Sequence, residues 1–416
     1  MQRTQGDLTG DLSVPHRLTE SPKGAHAAVR VGRSMDFDLP DEIEQLRRTV
    51  RKFVDEAVIP IEHAIDRDNA VPGSILREAA RLGLFGIAIP EEYGGSGLGV
   101  LARCVVHKEL ARGGLGSICS IVGAHTGIGT IGIVRTGSRF VKEKYLPALA
   151  TGDAIAAYAI TEPNTGSDVA GVETRAERRG DRFLINGLKH FITNGDIANV
   201  ITVIARTGRA NAGKRHVSAF LVERGFPGFR VARTQDTMGL RGSHIAELTF
   251  EDCEVPDTNL LGEEGRGLAG ALGALSEGRI GIAGRCVGAM ERLLDLSIAY
   301  AKQRVQFGRP IAEFQAVRHM LADGSIDVDT ARLLTYETAW RLDRGHDVRA
   351  QASKTKLFAS EAFGRVADRA VQIHGGYGYV SEFGIEKFYR DARITRIYEG
   401  TSEIQREIIA KALLTG

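Results

Sequence analysis

Cysteine is scarce in this sequence, and the few cysteines lie far apart. The 416 residues contain four, of which no two form a CxxC pair: Cys104, Cys119, Cys253 and Cys286. A disulfide framework or a zinc site needs closer spacing, so both are disfavoured. The eleven histidines likewise show no HxxxH or similar spacing. We predict no metal site and a reducing compartment, which is the cytoplasm or, in a eukaryote, the mitochondrial matrix.

Excess charge of one sign is also absent. Lys and Arg number 54 against 52 Asp and Glu, a net charge of +2, with no run of like charge suited to nucleic acid or a membrane surface. Glycine or a charged residue interrupts each apolar stretch before the ~18 residues that a membrane span needs. The composition, 43% apolar and 25% charged, predicts a globular protein of two or three domains with no nucleic-acid or membrane partner.

Residues 1–35 are polar and lack hydrophobic periodicity. They contain no apolar core of a secretory signal. Four arginines in this segment are typical of a transit peptide, whereas its three acids are not. These residues are Arg3, Arg17, Arg30 and Arg33, against Asp7, Asp11 and Glu20. We predict a disordered extension.

Three sequence patterns follow this segment. Helical periodicity begins near Pro40 and predicts an N-terminal helical domain, whose first helix runs from Ile43 to Val58 and ends before Pro60. Short β-branched runs separated by Gly, Asn and Asp then predict a compact antiparallel β domain, and helical periodicity returns after it. The fold class is therefore multidomain α+β. The predicted domains span 36–152, 153–256 and 257–416, with further helices at Ser74–Leu84, Leu101–Arg112 and Ser138–Leu149.

Two segments are similar to phosphate-binding loops. GIGTIG at Gly127–Gly132 matches the GxGxxG of dinucleotide-binding folds and would suit a nicotinamide dehydrogenase. It lies in a helical pattern with no strand before it, which favours close helix packing instead. GRANAGKR at Gly208–Arg215 has Arg215 where a P-loop needs Ser or Thr to bind magnesium. We interpret it as the loop of a β-hairpin.

Four segments carry patterns suited to a ligand. YAITEPNTGSD, Tyr158–Asp168, offers hydroxyls and backbone amides at the end of a strand, and HFITNG, His190–Gly195, ends another strand. RVQFGRPI, Arg304–Ile311, places a cation at the end of a long helix, where it could bind pyrophosphate. The glycines of QIHGGYGY, Gln372–Tyr379, free backbone amides to donate to phosphate or ribose oxygens. Each segment alone is equally compatible with an ordinary turn or helix end.

The fifth segment, IYEGTSEIQR at Ile397–Arg406, holds a lone acid, Glu399, ahead of a helix. Ser402 and Gln405 fit a capping box, which predicts a helix beginning near Glu403 and ending near Leu414. Taken alone, Glu399 would be a loop acid that interacts with the helix dipole.

Together these five segments, in this order, resemble the acyl-CoA dehydrogenase family from about Asp36 to Leu414. The resemblance implies a helical–β–helical subunit with a C-terminal four-helix bundle, noncovalently bound FAD, and a homotetramer built as a dimer of dimers. It also implies oxidation of an acyl-CoA between its α and β carbons, as in fatty-acid β-oxidation, with electrons passed to an electron-transfer flavoprotein.

The resemblance assigns roles to residues at matching positions. Glu399 falls on the family's catalytic base, and Thr401 would contact the cofactor diphosphate. Phe191 and Thr193 would flank the isoalloxazine ring. The other predicted cofactor residues are Tyr158, Ile160, Thr161 and Ser167, with Arg304, Gln306 and Phe307 reaching the FAD of a neighbouring subunit beside Gln372 and Gly376. The predicted substrate residues are Ser167, Ser276, Arg279, Tyr398 and Gly400.

The chemistry of dehydrogenation supports this role for Glu399. A carboxylate in water has a pKa of ~4.3 and is a poor base for a carbon acid, but enclosure with apolar substrate raises its pKa. Some family members place the base on the helix that contains LSEGRIG, where the matching position here is Gly278. Glu277 is one residue out of phase and points about 100° away. Glu399 is therefore the predicted base.

Two departures from the family bear on substrate. Ser276 replaces an aspartate that contacts the CoA chain in several relatives. Segment Ser117–Gly123, SICSIVG, is neutral, whereas decarboxylating glutaryl-CoA relatives have an arginine nearby. We predict a neutral acyl chain, short or short-branched. The alternatives are an acyl-CoA oxidase or nitroalkane-oxidase-like enzyme on the same fold, and a non-catalytic assembly factor.

Overall fold

The computed structural model describes residues 38–208 and 216–415, apart from the side chains of residues 268–274. The predicted extension at 1–35 and residues 209–215 of the predicted hairpin loop lie outside the described residues. Strands on either side of that loop pair in antiparallel register from Val200↔Glu223 to Arg206↔Val217, as a hairpin requires.

The N-terminal region is helical, as predicted. The first helix continues after Phe53 as a π-helical turn, Val54–Val58, followed by a 3-10 turn that contains Pro60. The helices are α1 (Asp41–Phe53), α2 (Glu62–Asp68), α3 (Gly73–Arg81), α4 (Val100–Ala111), α5 (Ser120–Ala124), α6 (Thr130–Thr136) and α7 (Arg139–Thr151). The three further predicted helices correspond to α3, α4 and α7, with ends shifted by one to three residues.

One segment, Leu115–Thr136, is long and apolar enough to cross a membrane by length and composition. The glycines and charged residues of the sequence predicted no such stretch. Within this segment, 83% of the 18-residue window with the required hydropathy is buried inside the protein, which is typical of an interior helix. Its backbone departs from helical geometry at Ser117 and Gly127. Gly127–Gly132 follows helix rather than strand, so it is no Rossmann turn, and a Cβ at Gly129 would lie 3.1 Å from the Cβ of Ala156.

The central sheet has eight strands: β1 (Ala156–Ala159), β2 (Arg175–Arg179), β3 (Arg182–Thr193), β4 (Val200–Arg206), β5 (Val217–Glu223), β6 (Phe229–Thr234), β7 (Ile245–Pro256) and β8 (Leu260–Leu261). Their order is β6-β7-β3-β2-β4-β5-β8, with β1 beside β4. Most strand pairs are antiparallel, as predicted, but the sheet is mixed, because β1 pairs with β4 in parallel. The β2–β3 hairpin lies between them in the chain, and such a crossover returns the next strand in the same direction.

The C-terminal region is again helical and carries a small hairpin, β9 (Val305–Gln306) with β10 (Arg309–Pro310). Its helices are α8 (Gly267–Gln303), α9 (Gln315–Asp343), α10 (Arg349–His374), α11 (Gly376–Tyr379), α12 (Ile385–Thr395) and α13 (Ser402–Thr415). α8 packs against α4, α9 and α10. One apolar core joins the two helical regions, from Val50 of α1 to Phe363 of α10, while the sheet has its own. The α+β fold class is confirmed; the exact domain boundaries stay predictions.

Candidate active site

The predicted base lies on a strained turn between α12 and α13. Glu399 has φ +52° and Gly400 has φ +94°. The left-handed region is costly for a non-glycine residue, and such strain persists only where surrounding contacts impose it. Here Lys356, fully buried on α10, donates a hydrogen bond of 2.8 Å from Nζ to the Gly400 carbonyl. The turn is therefore held from the core.

The predicted capping box is wrong in its donors and acceptors. The N–H of Ile404 donates to Oγ1 of Thr401, which therefore caps α13. Ser402 Oγ instead donates to Glu361 at 2.7 Å. Gln405 Nε2 donates backwards to the carbonyls of Glu399, at 3.2 Å, and Gly400, at 2.9 Å. Gln405 thus anchors the turn rather than the helix end.

The carboxyl group of Glu399 lies against α8. A Cβ built on Gly278 would be only 2.0 Å from Oε2 of Glu399. Oε2 is buried and has no hydrogen-bond partner among the described residues. Glu277, one position earlier, forms ion pairs with Arg103, at 2.6 Å, and with Arg135. As predicted, Glu277 points away from the base.

Burial and nearby positive charges have opposite effects on the pKa of Glu399. Burial raises the pKa of this carboxyl above its ordinary value, whereas the cations Arg285, Lys356, Arg279 and Arg103 lower it. Burial has the larger effect. The carboxyl is thus a stronger base than one in water, and the surrounding cations favour its charged form.

Three predicted substrate residues lie near this carboxyl group. Ser276 and Arg279 flank Gly278 on α8, and Tyr398 directly precedes Glu399. Arg279 is buried, with Nη1 3.4 Å from Oγ of Ser353 and with Nε unpaired among the described residues. A Cβ on Gly400 would lie 3.8 Å from Nη2 of Arg279, so the guanidinium flanks the turn. Ser276 is buried on α8. The hydroxyl of Tyr398 is buried without a partner in the described part of the chain, and burial raises its pKa.

The structure also brings the first two predicted cofactor segments together. The N–H of His190 donates to the Thr161 carbonyl at 2.8 Å, and Lys189 Nζ donates to the Ile160 carbonyl at 3.1 Å. Phe191 lies on a bulge of β3, with φ +60°, and 56% of the residue is exposed. The remaining predicted residues of this group are half-buried Tyr158 and Thr193 and exposed Ser167.

The third predicted cofactor group lies at the surface. A cavity of about 830 Å³ is lined by Arg304 and Gln306 of the β9–β10 hairpin and by Gly376. Phe307, at the hairpin turn, is 93% exposed. Gln372 is exposed on the last turn of α10 but does not line the cavity. This group therefore faces outward.

Sequence reasoning missed several buried charges. Lys356 lies at helical spacing from other buried residues of α10, such as Ala352 and Ser360. A charged residue on the buried face of a helix was the sequence signal that could have identified it. Lys189 and Glu162 form a buried ion pair of 2.7 Å beneath the first cofactor segment. Arg285 of α8 is buried as well. All four cysteines are free, and no cluster of three potential metal ligands occurs within the described residues.

Comparisons with known proteins agree with this architecture. Family models described as the N-terminal, middle and C-terminal domains of acyl-CoA dehydrogenase match residues 40–153, 157–253 and 265–414. An acyl-CoA dehydrogenase of Bacillus subtilis is 42% identical over 89% of this chain and 97% of its own length. The solved butyryl-CoA dehydrogenase of Megasphaera elsdenii is 37% identical with a TM-score of 0.88, covering 91% of this chain and 100% of that one.

A further solved structure is an acyl-CoA dehydrogenase of Bacillus anthracis complexed with FAD. It is 35% identical with a TM-score of 0.85, covering 91% of this chain and 68% of that one. The three domain matches together span most of the sequence. The chain belongs to the acyl-CoA dehydrogenase family.

Proposed function

We propose that this protein oxidises an acyl-CoA thioester to the trans-2-enoyl-CoA, with Glu399 as the base that removes the α proton. The observation that carries the proposal is the buried, unpartnered Oε2 of Glu399 against Gly278. The β hydrogen leaves with its electron pair, so the substrate loses two electrons and two hydrogens. When bound, FAD supplies the acceptor for that hydride.

Residues of this chain prepare the proton transfer. A positioned base contributes roughly 10²–10⁴ in rate, and burial strengthens Glu399 for this task. The backbone N–H of Glu399 donates no hydrogen bond to the described residues. It is therefore free to donate to the thioester carbonyl, which acidifies the α proton. Lys356 and Gln405 fix the turn that presents both groups.

The cofactor residues fit a flavin dinucleotide. Exposed Phe191 offers an aromatic face beside Thr193, and the buried hydroxyl of Tyr158 has no partner within the described chain. Arg304 and the glycine turn at Gly376 suit the phosphates and ribose. Thr401 is proposed to contact the diphosphate region.

The outward-facing hairpin supports a homo-oligomer. Phe307, Arg304 and Gln306 are exposed on one subunit, as residues that reach the FAD of a neighbouring subunit would be. A homotetramer, electron transfer to an electron-transfer flavoprotein and a place in β-oxidation complete the proposal. Four free, buried cysteines support a reducing compartment, the cytoplasm or, in a eukaryote, the mitochondrial matrix. The prediction of a neutral acyl chain rests on the absence of charge in Ser117–Gly123, but the guanidinium of Arg285 lies against Gly123 at the end of that segment.

The test is anaerobic mixing of the FAD-loaded protein with acyl-CoAs of increasing chain length, followed by flavin absorbance. Bleaching with at least one acyl-CoA is expected. A protein that binds FAD but bleaches with none would be a non-catalytic relative. Hydrogen peroxide formed in air at the rate of turnover would favour an oxidase instead.

A further inference from the structure

Arg285 is a buried cation of α8 that forms no ion pair with any residue that the structure describes. Only 5% of the residue is exposed, and its Nε is buried without a hydrogen-bond partner in the described chain. Three other buried cations of the helical core form ion pairs, Arg103 with Glu277, Lys108 with Glu291, and Arg112 with Asp295. Arg279 and Lys356 form none within the described residues but donate hydrogen bonds to Ser353 and to the Gly400 carbonyl. Burying a charge costs several kcal/mol unless an opposite charge or hydrogen bonds offset it. No ion pair within the described residues offsets the charge of Arg285, although Glu399 interacts with it at longer range.

The guanidinium of Arg285 lies against the segment that the sequence analysis described as neutral. A Cβ built on Gly123 would be 2.2 Å from Nη2 and 2.4 Å from Cζ of Arg285. Gly123 ends the segment Ser117–Gly123, which has no charged side chain of its own. The absence of charge in that segment therefore does not make its surroundings neutral, because α8 supplies the cation.

Helix geometry places this cation on the face of α8 that the carboxyl group of Glu399 covers. Arg285 follows Gly278 by seven residues, which is nearly two turns, so both lie on the same face of α8 about 10 Å apart. Side chains of a helix lean towards its N-terminus, so the guanidinium extends back towards the carboxyl that covers Gly278. In agreement, Arg285 has the largest charge effect on Glu399. Arg285 and Glu399 both belong to the described residues, and their side chains form no ion pair with each other.

We propose that Arg285 binds a carboxylate at the distal end of a short acyl chain, so that the substrate class is a short ω-carboxyacyl-CoA such as glutaryl-CoA. The inference rests on the proposed function, since it assumes that Glu399 acts on the α carbon. A guanidinium matches a carboxylate with two parallel N–H···O bonds. The ω-carboxylate would offset the buried charge of Arg285, while the α proton leaves to Glu399 and the β hydride to FAD as for any acyl chain.

Two other roles for Arg285 give different results. If it only tunes Glu399, its removal changes turnover of every acyl-CoA and moves the pH profile. If it only packs α8 against Gly123, its removal lowers stability without changing the relative rates of two substrates. Only a role in binding the distal carboxylate changes the preference between substrates of equal length.

The experiment compares glutaryl-CoA with valeryl-CoA, which has the same number of carbons and no charge. Anaerobic flavin reduction gives kcat/KM for each in the wild-type protein, Arg285→Gln, Arg285→Lys and the control Arg112→Gln. We expect the wild type to prefer glutaryl-CoA. Arg285→Gln should lose about 100-fold more with glutaryl-CoA than with valeryl-CoA, as for truncation of one partner of a buried charge pair, because any change in the pKa of Glu399 is common to both substrates. Arg285→Lys should recover part of the loss, and Arg112→Gln should keep the wild-type ratio.

The outcomes are separable. Wild-type protein that is reduced by valeryl-CoA but no faster by glutaryl-CoA overturns the inference while leaving the proposed function intact, and this comparison needs no variant. Equal losses with both substrates in Arg285→Gln also overturn it. Wild-type FAD-loaded protein reduced by no acyl-CoA at all contradicts the proposed function itself.

Discussion

The carboxyl group of Glu399 lies where a side chain on Gly278 would begin. The two residues come from different elements, the turn before α13 and the middle of α8, yet a Cβ on Gly278 would be 2.0 Å from Oε2. Heavy atoms cannot approach this closely, so a base on the turn and a side chain at position 278 exclude each other. The glycine is part of the site because it leaves room for the carboxyl.

The first prediction follows from this exclusion. Gly278→Ala should lower kcat about 100-fold or more, because the new methyl group displaces the base and a misplacement of about 1 Å can cost that much. FAD content and Tm should change little, since Gly278 lies inside a helix where alanine is favourable. Stopped-flow flavin reduction measures the rate.

A matched variant separates this effect from a general effect on helices. Gly324→Ala places a methyl group on α9 at 3.5 Å from Cδ1 of Leu294, an ordinary contact. It should stabilise the protein by about 0.5–1 kcal/mol and leave the rate unchanged. If Gly278→Ala reacts as fast as Gly324→Ala, the Glu399 carboxyl is not the base in this position.

The second prediction concerns the base itself. Glu399→Gln keeps the size of the side chain and removes its basicity, so flavin reduction should fall by roughly 10²–10⁴. Acyl-CoA binding should persist, which isothermal titration of the FAD-loaded variant would show. Glu403→Gln, an exposed acid on the first turn of α13, serves as control and should retain full activity. Unchanged turnover in Glu399→Gln would move the base elsewhere.

The third prediction is a pH dependence. The base must be ionised, and burial raises the pKa of Glu399 above its ordinary 4.5. The rate should therefore fall as the pH decreases through this raised pKa. Lys356 lowers the pKa of Glu399, so Lys356→Met should shift this decline to higher pH. The exposed neighbour Lys354 gives the control Lys354→Met, whose profile should match the wild type; a Lys356→Met profile that also matches would contradict the assigned electrostatics.

A local sequence motif predicts Glu399 as the base, but no local signal predicts the contacts that hold its turn in place. Glu399 could be predicted because a motif carries it, and α4 and α7 because their apolar spacing is local. The hydrogen bond from Lys356 to the Gly400 carbonyl joins positions 44 apart, which no local pattern reports. Thr401 rather than Ser402 caps α13. A sequence pattern does not distinguish two adjacent hydroxyl side chains, because they differ only in the direction in which they point.

Pairing over long distances explains the other differences. The long connection that contains β2 and β3 permits β1 and β4 to be parallel neighbours, but a pattern of short strands does not specify which strands become neighbours. The position of Arg285 also depends on a contact between distant parts of the chain. The sequence shows a lone arginine between Gly284 and Cys286 in an apolar helical pattern, but only the folded structure shows that its guanidinium lies against Gly123.

The last prediction concerns the buried ion pair beneath the cofactor segment. Lys189 and Glu162 have side chains that are 0% and 2% exposed, and their charged atoms are 2.7 Å apart. Glu162 also accepts backbone N–H bonds from Glu173, at 2.6 Å, and Thr174, at 3.0 Å. The pair thus ties β3 to the turn that follows β1.

Removal of one partner leaves a buried charge unpaired, so Lys189→Met should lower the free energy of unfolding by about 3–5 kcal/mol. The double variant Lys189→Met/Glu162→Gln should recover part of this loss, because it removes the second charge as well. Since Lys189 also donates to the Ile160 carbonyl, the single variant should lose FAD more readily during gel filtration. Urea unfolding of the wild type, Lys189→Met, Glu162→Gln and the double variant measures the coupling: a loss in the double variant equal to the sum of the two single losses would show that the two charges do not depend on each other.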